Sequence, residues 1–275
     1  MKLSYVIFSI FTIIILFFSL YWFLNLENED MNSMVYTPVK WRIKKREIKS
    51  RLFSTPILLY HNIDGKGVFS LPSKTLSSQF EMFIDKKINV ISLEQLVKRI
   101  EIPKPFNQKA IAITFDDGFP SMYHQLLPLA SKFGYPITLF VYIDFIFTKS
   151  KRNLTWELLR KMEKKGISIE CHTISHPDLN EISKENTPES KRKLFEEIYL
   201  SKRIIELYMK KNVKYFAFPY GRYSLKIIEL CQFAGYQRVF STDYGSNIIT
   251  RDNYCLKRTH VKNTFPLRLI EKFVK

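Results

Sequence analysis

Two short clusters in this chain carry residue types and spacings suited to chemistry. Asp116 and Asp117 lie side by side in Thr114-Phe115-Asp116-Asp117-Gly118, and His172 and His176 stand four apart in His172-Thr173-Ile174-Ser175-His176. Adjacent carboxylates at the end of an apolar strand cannot both point the same way. One can bind a cation while the other faces a bound water. The same Asp-Asp-Gly also suits an ordinary turn. Histidines four apart meet on one helical turn or in a tight loop, the spacing of a zinc pair. Two solvated histidines fit that spacing as well. Taken together, one aspartate and two histidines form a face of three ligands that leaves positions open for water and substrate. That pattern suits a catalytic rather than a structural metal.

The elements that must position these clusters are short apolar runs separated by amphipathic stretches. Strands are predicted over 57–60, 89–91, 110–114, 137–143, 167–171, 213–218 and 238–241. Their nearly continuous apolar character is that of parallel strands covered on both faces. The first helix places Leu76, Phe80, Phe83 and Ile84 on one stripe. The next starts at Ser92, with Gln95 at capping-box spacing. One helix ends at Gly134 and another runs from Thr155 to Gly166; a long one starts at Thr187-Pro188, and a last one follows Pro266. Seven or so β/α units define one α/β domain, a barrel or an open sheet, with function at the C-terminal ends of the strands. Both clusters fall there. So do His61, after the first predicted strand, and Pro219-Tyr220-Gly221, after the sixth.

Composition sets the frame. The chain has 275 residues, 46% of them hydrophobic, which excludes extended disorder. Its three cysteines, Cys171, Cys231 and Cys255, form no CxxC and exclude a disulfide-stapled miniprotein. The net charge of +17 favours anionic surfaces, or reflects a lysine-rich, soluble exterior. Residues 3–24 carry no charge and are long enough to span a bilayer, with Tyr21 and Trp22 at the far end. The run is longer than a signal-peptide core and no A-x-A-like site follows it. Residues 1–26 are thus predicted as a membrane anchor, 27–54 as a basic linker and 55–275 as the functional domain. Lys2 before the run and Glu27, Glu29 and Asp30 after it place the domain on the extracytoplasmic side, in the cell envelope. The basic residues between Lys40 and Arg51 oppose that orientation, or lie on anionic lipid.

The two clusters together resemble the motifs of the polysaccharide deacetylase family, carbohydrate esterase family four. Thr114–Gly118 resembles the first motif and His172–His176, with the following Pro-Asp-Leu, the second. Phe218-Pro219-Tyr220-Gly221 resembles the end of the third. The likeness extends over residues 56 to 260 and is nearest to the branch acting on poly-N-acetylglucosamine. It implies a distorted (β/α)7 barrel. It implies a divalent metal, usually Zn2+, on Asp117, His172 and His176, with Asp116 as general base. The backbone N–H of Tyr220 would face the developing oxyanion.

Two family features are out of place. The arginine expected to open the third motif is missing, since that stretch reads Lys214-Tyr215-Phe216-Ala217. The late Leu-x-x-His that supplies the general acid is missing too. Leu58-Leu59-Tyr60-His61 has that form at the front of the chain, and a closed barrel lets the first strand replace the last. His61 is therefore the expected acid, with His260 its rival, and Arg258 the expected holder of Asp116. His124 is read as structural or exposed. The implied activity is removal of N-acetyl groups from an N-acetylglucosamine-containing glycan, releasing acetate. An O-acetyl esterase with the same metal site and a non-catalytic, membrane-anchored glycan binder are the alternatives. Nucleic acid is not an expected partner: no zinc-finger spacing or RNA-binding aromatic motif accompanies the charge.

Overall fold

The computed structural model describes residues 55–101, 109–147, 153–245, 247 and 254–263. The predicted anchor, the linker and the helix after Pro266 lie outside the described residues. Among the described residues no helix is long and apolar enough to cross a membrane.

Among the described residues, nine strands form one parallel sheet: β1 (Ile57–Tyr60), β2 (Asn89–Ile91), β3 (Ala110–Phe115), β4 (Ile137–Val141), β5 (Ile167–Cys171), β6 (Tyr215–Ala217), β7 (Arg238–Phe240), β8 (Cys255–Leu256) and β9 (Thr259–His260). Their order is β8-β7-β6-β5-β4-β3-β1-β9. β2 pairs with the first half of β3, Ala110–Ala112, and β4 with the second, Ile113–Phe115. The two edge strands, β8 and β9, are separated in sequence by Lys257 and Arg258 alone. The three Cα–Cα links from Leu256 to Thr259 reach at most about 11 Å, so the sheet must curl until its edges approach each other. The result is a parallel α/β half-barrel, consistent with a (β/α)7 barrel.

Alternation along the strands divides the core into two layers. Leu58, Tyr60, Ile111, Ile113, Leu139 and Val141 belong to the large outer cluster beneath the helices. Ile57, Ala110, Ala112, Phe140, Ala217, Phe240 and Leu256 belong to the inner cluster, which Leu93, Leu96 and Val97 of the helix Leu93–Glu101 join. Alanines opposite phenylalanines fill a narrow interior without overpacking. The inward rows are Ile57-Leu59-His61, Ala112-Thr114-Asp116, Ser168-Glu170-His172 and Leu256-Arg258-His260. Each row therefore ends in a polar residue at the C-terminal end of the barrel.

The helix boundaries follow their caps. Ser92 and Gln95 cap each other reciprocally, at 3.0 and 3.1 Å. Thr155 accepts from the Leu158 N–H, ahead of the helix Trp156–Lys164. Thr187 and Ser190 form a capping box at the start of Pro188–Phe195, with Pro188 in the first turn. Gly134 ends its helix in the left-handed region at φ 65°. One predicted core residue is displaced: Leu76, Phe80 and Phe83 are buried, but Ile84 is 58% exposed. At about 100° per residue, Ile84 sits roughly 80° round from Leu76, at the margin of the stripe.

Candidate active site

The inward rows converge at the C-terminal pole. Asp116, 2% exposed, receives both terminal nitrogens of Arg258, Nη1 to Oδ1 and Nη2 to Oδ2, each at 2.7 Å. Arg258 is itself fully buried. Its Nε donates to the Ser241 carbonyl at 3.1 Å and its guanidinium lies 5.3 Å from the Phe140 ring centre. Burial alone would raise the Asp116 pKa, but the Arg258 charge, His172 and the fork of hydrogen bonds outweigh it and hold the group at about 2.

Asp117 turns the other way because its backbone is left-handed, at φ 77°. Gly118, also at positive φ, lets the chain leave tightly packed against Val141. The Asp117 Oδ1 lies 3.7 Å from His172 Nε2 and 3.5 Å from His176 Nε2. The ligand atoms of Asp117, His172 and His176 all fall within 4.8 Å of one another. Tetrahedral ligands at about 2.1 Å from a cation are ~3.4 Å apart, close to what these side chains show.

Two further observations fit a cation there. His172 Nδ1 is 2.8 Å from the Ala217 carbonyl. A carbonyl only accepts, so Nδ1 carries the proton and Nε2 keeps its lone pair. Burial, with the Asp116 charge beside it, pushes Asp117 up to about 7. The carboxylate thus lacks the positive neighbour that Asp116 has, and a divalent cation would supply it. His172 is buried and held down at about 3, and burial also lowers His176, so both stay neutral and ready to ligate near pH 7.

The histidine loop is set by a residue that the sequence reading missed. Glu197, fully buried in the π-helical turn Glu196–Leu200, accepts from the N–H groups of Ile174 at 2.8 Å and Ser175 at 2.9 Å. Its other oxygen takes the Ser175 hydroxyl at 2.5 Å and the Lys193 ammonium at 2.7 Å. A signal was available: Leu194, Ile198 and Ile205 form an apolar stripe, and Glu197 falls on it. A carboxylate on a buried stripe needs partners.

Tyr220 sits in a one-turn 3-10 segment, Pro219–Gly221, at φ 57°. Its ring meets His176 at 4.8 Å. Gly221 follows because nothing larger fits: a Cβ would lie 2.0 Å from Thr242 Oγ1 and 2.6 Å from the Thr242 backbone nitrogen. His61 follows Tyr60, which pairs with Phe115, so it stands beside Asp116. Leu59 pairs with His260, which puts the two histidines on one face; their rings stack at 4.7 Å, and Phe69 stacks on His260 at 4.8 Å. Burial lowers the proton affinity of both, and His260 falls to about 4. His61 Nδ1 and His260 Nε2 are buried without a hydrogen-bond partner. His124 is exposed on the π-helical turn Met122–Leu126, outside this cluster.

A parallel half-barrel with an Asp-His-His cluster at the C-terminal ends of its strands describes a class of hydrolase. The comparisons specify which. Residues 103–239 match the polysaccharide deacetylase family model. The Bacillus subtilis (strain 168) protein YxkH, which carries the name of a polysaccharide deacetylase, is 28% identical over 206 residues, 75% of this chain and 71% of that one. The poly-beta-1,6-N-acetyl-D-glucosamine N-deacetylase of Staphylococcus aureus (strain MSSA476) is 22% identical, over 74% and 72% of the two chains. The Streptococcus pyogenes deacetylase PplD, solved with acetate, superposes with a TM-score of 0.68 at 22% identity, covering 81% of this chain and 98% of that one. IcaB from Ammonifex degensii superposes with a TM-score of 0.70 at 18% identity, covering 80% and 97%. The chain belongs to the polysaccharide deacetylase family, enzymes of hydrolytic deacetylation.

Two predictions follow from the electrostatics and the loop. With His172 already neutral and Asp117 half protonated at about 7, a divalent cation must displace about half a proton at pH 7 and close to one a pH unit lower. The raised Asp117 pKa favours the metal-free protein below that pH, so zinc affinity should fall about tenfold per pH unit below 7. Calorimetry at pH 6 in buffers of different ionisation heat should find about one proton released per zinc ion; two or three would mean that the histidines are not held neutral. Glu197→Gln should weaken zinc ~10- to 100-fold in a chelator competition, because the loop presenting His176 loses its charged anchor; unchanged affinity would leave Glu197 a purely structural residue.

Proposed function

We propose that this protein is a metal-dependent N-deacetylase of an N-acetylglucosamine-containing polysaccharide. The convergence of Asp117, His172 and His176 beside an Arg258-clamped Asp116 carries that reading. Zinc suits two neutral imidazoles and one carboxylate with open positions. When bound, the cation supplies a water acidic enough to be deprotonated near neutral pH and a centre that polarises the acetyl carbonyl. The substrate class is supported by the poly-beta-1,6-N-acetyl-D-glucosamine N-deacetylases that match three quarters of the chain.

The chain's own residues divide the remaining work. Asp116, ionised at every working pH and fixed by Arg258, is the oriented acceptor for the proton of the attacking water. Its low proton affinity limits it to a short hold on that proton, and His61 stands next to it across the β1–β3 pair. The Tyr220 N–H, presented by the strained 3-10 turn, donates to the developing oxyanion; such a donor typically contributes about 3 kcal/mol. His61 protonates the leaving nitrogen, with His260 stacked behind it. An amide nitrogen cannot depart unprotonated, whereas an ester oxygen leaves far more readily. A histidine cluster at this place therefore favours the N-acetyl over the O-acetyl reading. Residues 3–24 anchor the enzyme in a membrane, with the barrel on the extracytoplasmic side.

The test is acetate release from N-acetylglucosamine oligomers and from acetylated xylan, with and without chelator. Asp116→Asn should retain zinc yet lose turnover by at least ~100-fold, and His176→Ala should lose the metal. His61→Ala should abolish N-deacetylation while sparing part of any activity on an activated acetate ester, whose leaving group needs no acid. Full hydrolysis by Asp116→Asn, or by the chelated enzyme, would end this assignment.

A further inference from the structure

The charge of this chain is not spread evenly over the barrel. In a parallel sheet the turns that lead from a helix end into the next strand lie at one pole, opposite the active site. Lys87 precedes β2, Lys109 β3, Lys164 and Lys165 β5, and Lys210 β6. All five are exposed, and none forms an ion pair among the described residues. Nearby Lys211 and Lys214 are already matched, to Glu163 at 2.8 Å and Glu94 at 3.3 Å. At the C-terminal pole lysines such as Lys66 and Lys262 also stand exposed, but Asp64 and Asp243 lie in the loops there, Asp144 in the first turn of the short helix Ile143–Phe147 that follows β4, and Arg222 is paired with Asp178 at 2.5 Å. Asp85, exposed beside Lys87, offsets part of this charge, and the basal turns keep a net positive charge.

Two other observations share that pole. Ile84 and Phe233, at the last turns of their helices, are 58% and 47% exposed. Lysines with interspersed apolar side chains are the make-up of a surface that lies against headgroups. The chain also reaches β1 from this side. Thr55 stands at the N-terminal end of the sheet, and the sequence before it holds the basic residues from Lys40 to Arg51 and, further back, the uncharged run 3–24.

We propose that the basal face of the barrel rests on an anionic phospholipid surface, so that the deacetylase cleft opens away from the membrane. This rests on reading residues 3–24 as an anchor. The basal lysines then lie within a Debye length of the headgroups. The substrate chemistry narrows accordingly: the cleft meets a polymer segment extending away from the bilayer, and a sugar joined directly to a lipid at the headgroup plane lies on the wrong side of the domain.

The full-length chain, reconstituted in nanodiscs of phosphatidylcholine with or without phosphatidylglycerol, gives the test by amine footprinting read lysine by lysine. Lys87, Lys109, Lys164, Lys165 and Lys210 should label severalfold more slowly in the anionic discs, while Lys66 and Lys262 label equally in both. Salt at ~0.5 M, where the Debye length is roughly 4 Å, should erase the difference. The variant K164E/K165E should lose protection at Lys87 and Lys109 and keep its acetate release from soluble oligomers. Equal labelling in both discs, or protection of Lys66 and Lys262 instead, would overturn the inference and leave the anchor standing. A chain that fails to co-purify with either disc would overturn the anchor and the inference together. Stronger protection by duplex DNA than by phosphatidylglycerol would overturn the assignment to lipid.

Discussion

Two neighbouring carboxylates, Asp116 and Asp117, have to share one water-poor site, and the fold's answer is to give them different partners. Like charges so close raise each other's proton affinity. Arg258 removes the conflict for Asp116 with a planar, two-point match that a lysine could not reproduce. Asp117 keeps the conflict, and its proton affinity rises accordingly. A left-handed backbone at Asp117 sends the second carboxylate to the histidines rather than to the same guanidinium. The pair thereby becomes two chemically distinct groups, one fixed as an anion and one suited to a cation. A buried arginine is tolerable only because all of its charge is used: two oxygens of Asp116, one carbonyl of Ser241 and the face of Phe140 account for it.

Local strain marks the same place. Among the described residues, seven non-glycine residues have positive φ: Lys87, Asp117, Thr173, His176, Asn186, Lys210 and Tyr220. Asn186 and Lys210 are helix C-caps, and Lys87 follows the C-cap of its helix, where the left-handed region is ordinary. The other four carry or flank the candidate chemistry. Such conformations persist only where surroundings over-determine them. Here the determinants are visible: the Thr173 hydroxyl accepts from the His176 N–H at 3.0 Å, Glu197 holds the loop between them, and Thr242 leaves no room for a side chain beside Tyr220.

How far the sequence was legible depended on how local each constraint is. The apolar runs before Asp116, His172 and Pro219 stand where the strands are, because a buried parallel strand must be apolar along its length. Caps at Ser92, Thr155 and Thr187 were readable for the same reason, since each is completed within three residues. β8 and β9 were not readable. They are two residues each, flank a charged Lys257-Arg258, and exist only because β7 and β1 offer free edges more than a hundred residues apart. Arg258 could be nominated to hold Asp116, but only because the usual arginine was absent elsewhere; its contact spans 142 positions. Glu197 left a fainter trace, a charge on an apolar stripe, and needed the folded loop of Ile174 and Ser175 to give it meaning.

The parallel arrangement also separates two demands that would otherwise compete. Catalysis needs an inward-facing pocket in which Asp116 is matched by Arg258 and Asp117 is left for a cation. Attachment to an anionic surface needs unmatched positive charge, solvated and outward-facing. Had both been placed at one pole, the basal lysines would have depressed the proton affinity of His61 and His260 further than burial already does, and the acid needed at the leaving nitrogen would have become harder to keep protonated. The length of a parallel strand and its crossover helix puts the lysines beyond a Debye length from the histidines. The polarity of the sheet thus lets the protein carry a strong positive charge without imposing it on its own chemistry.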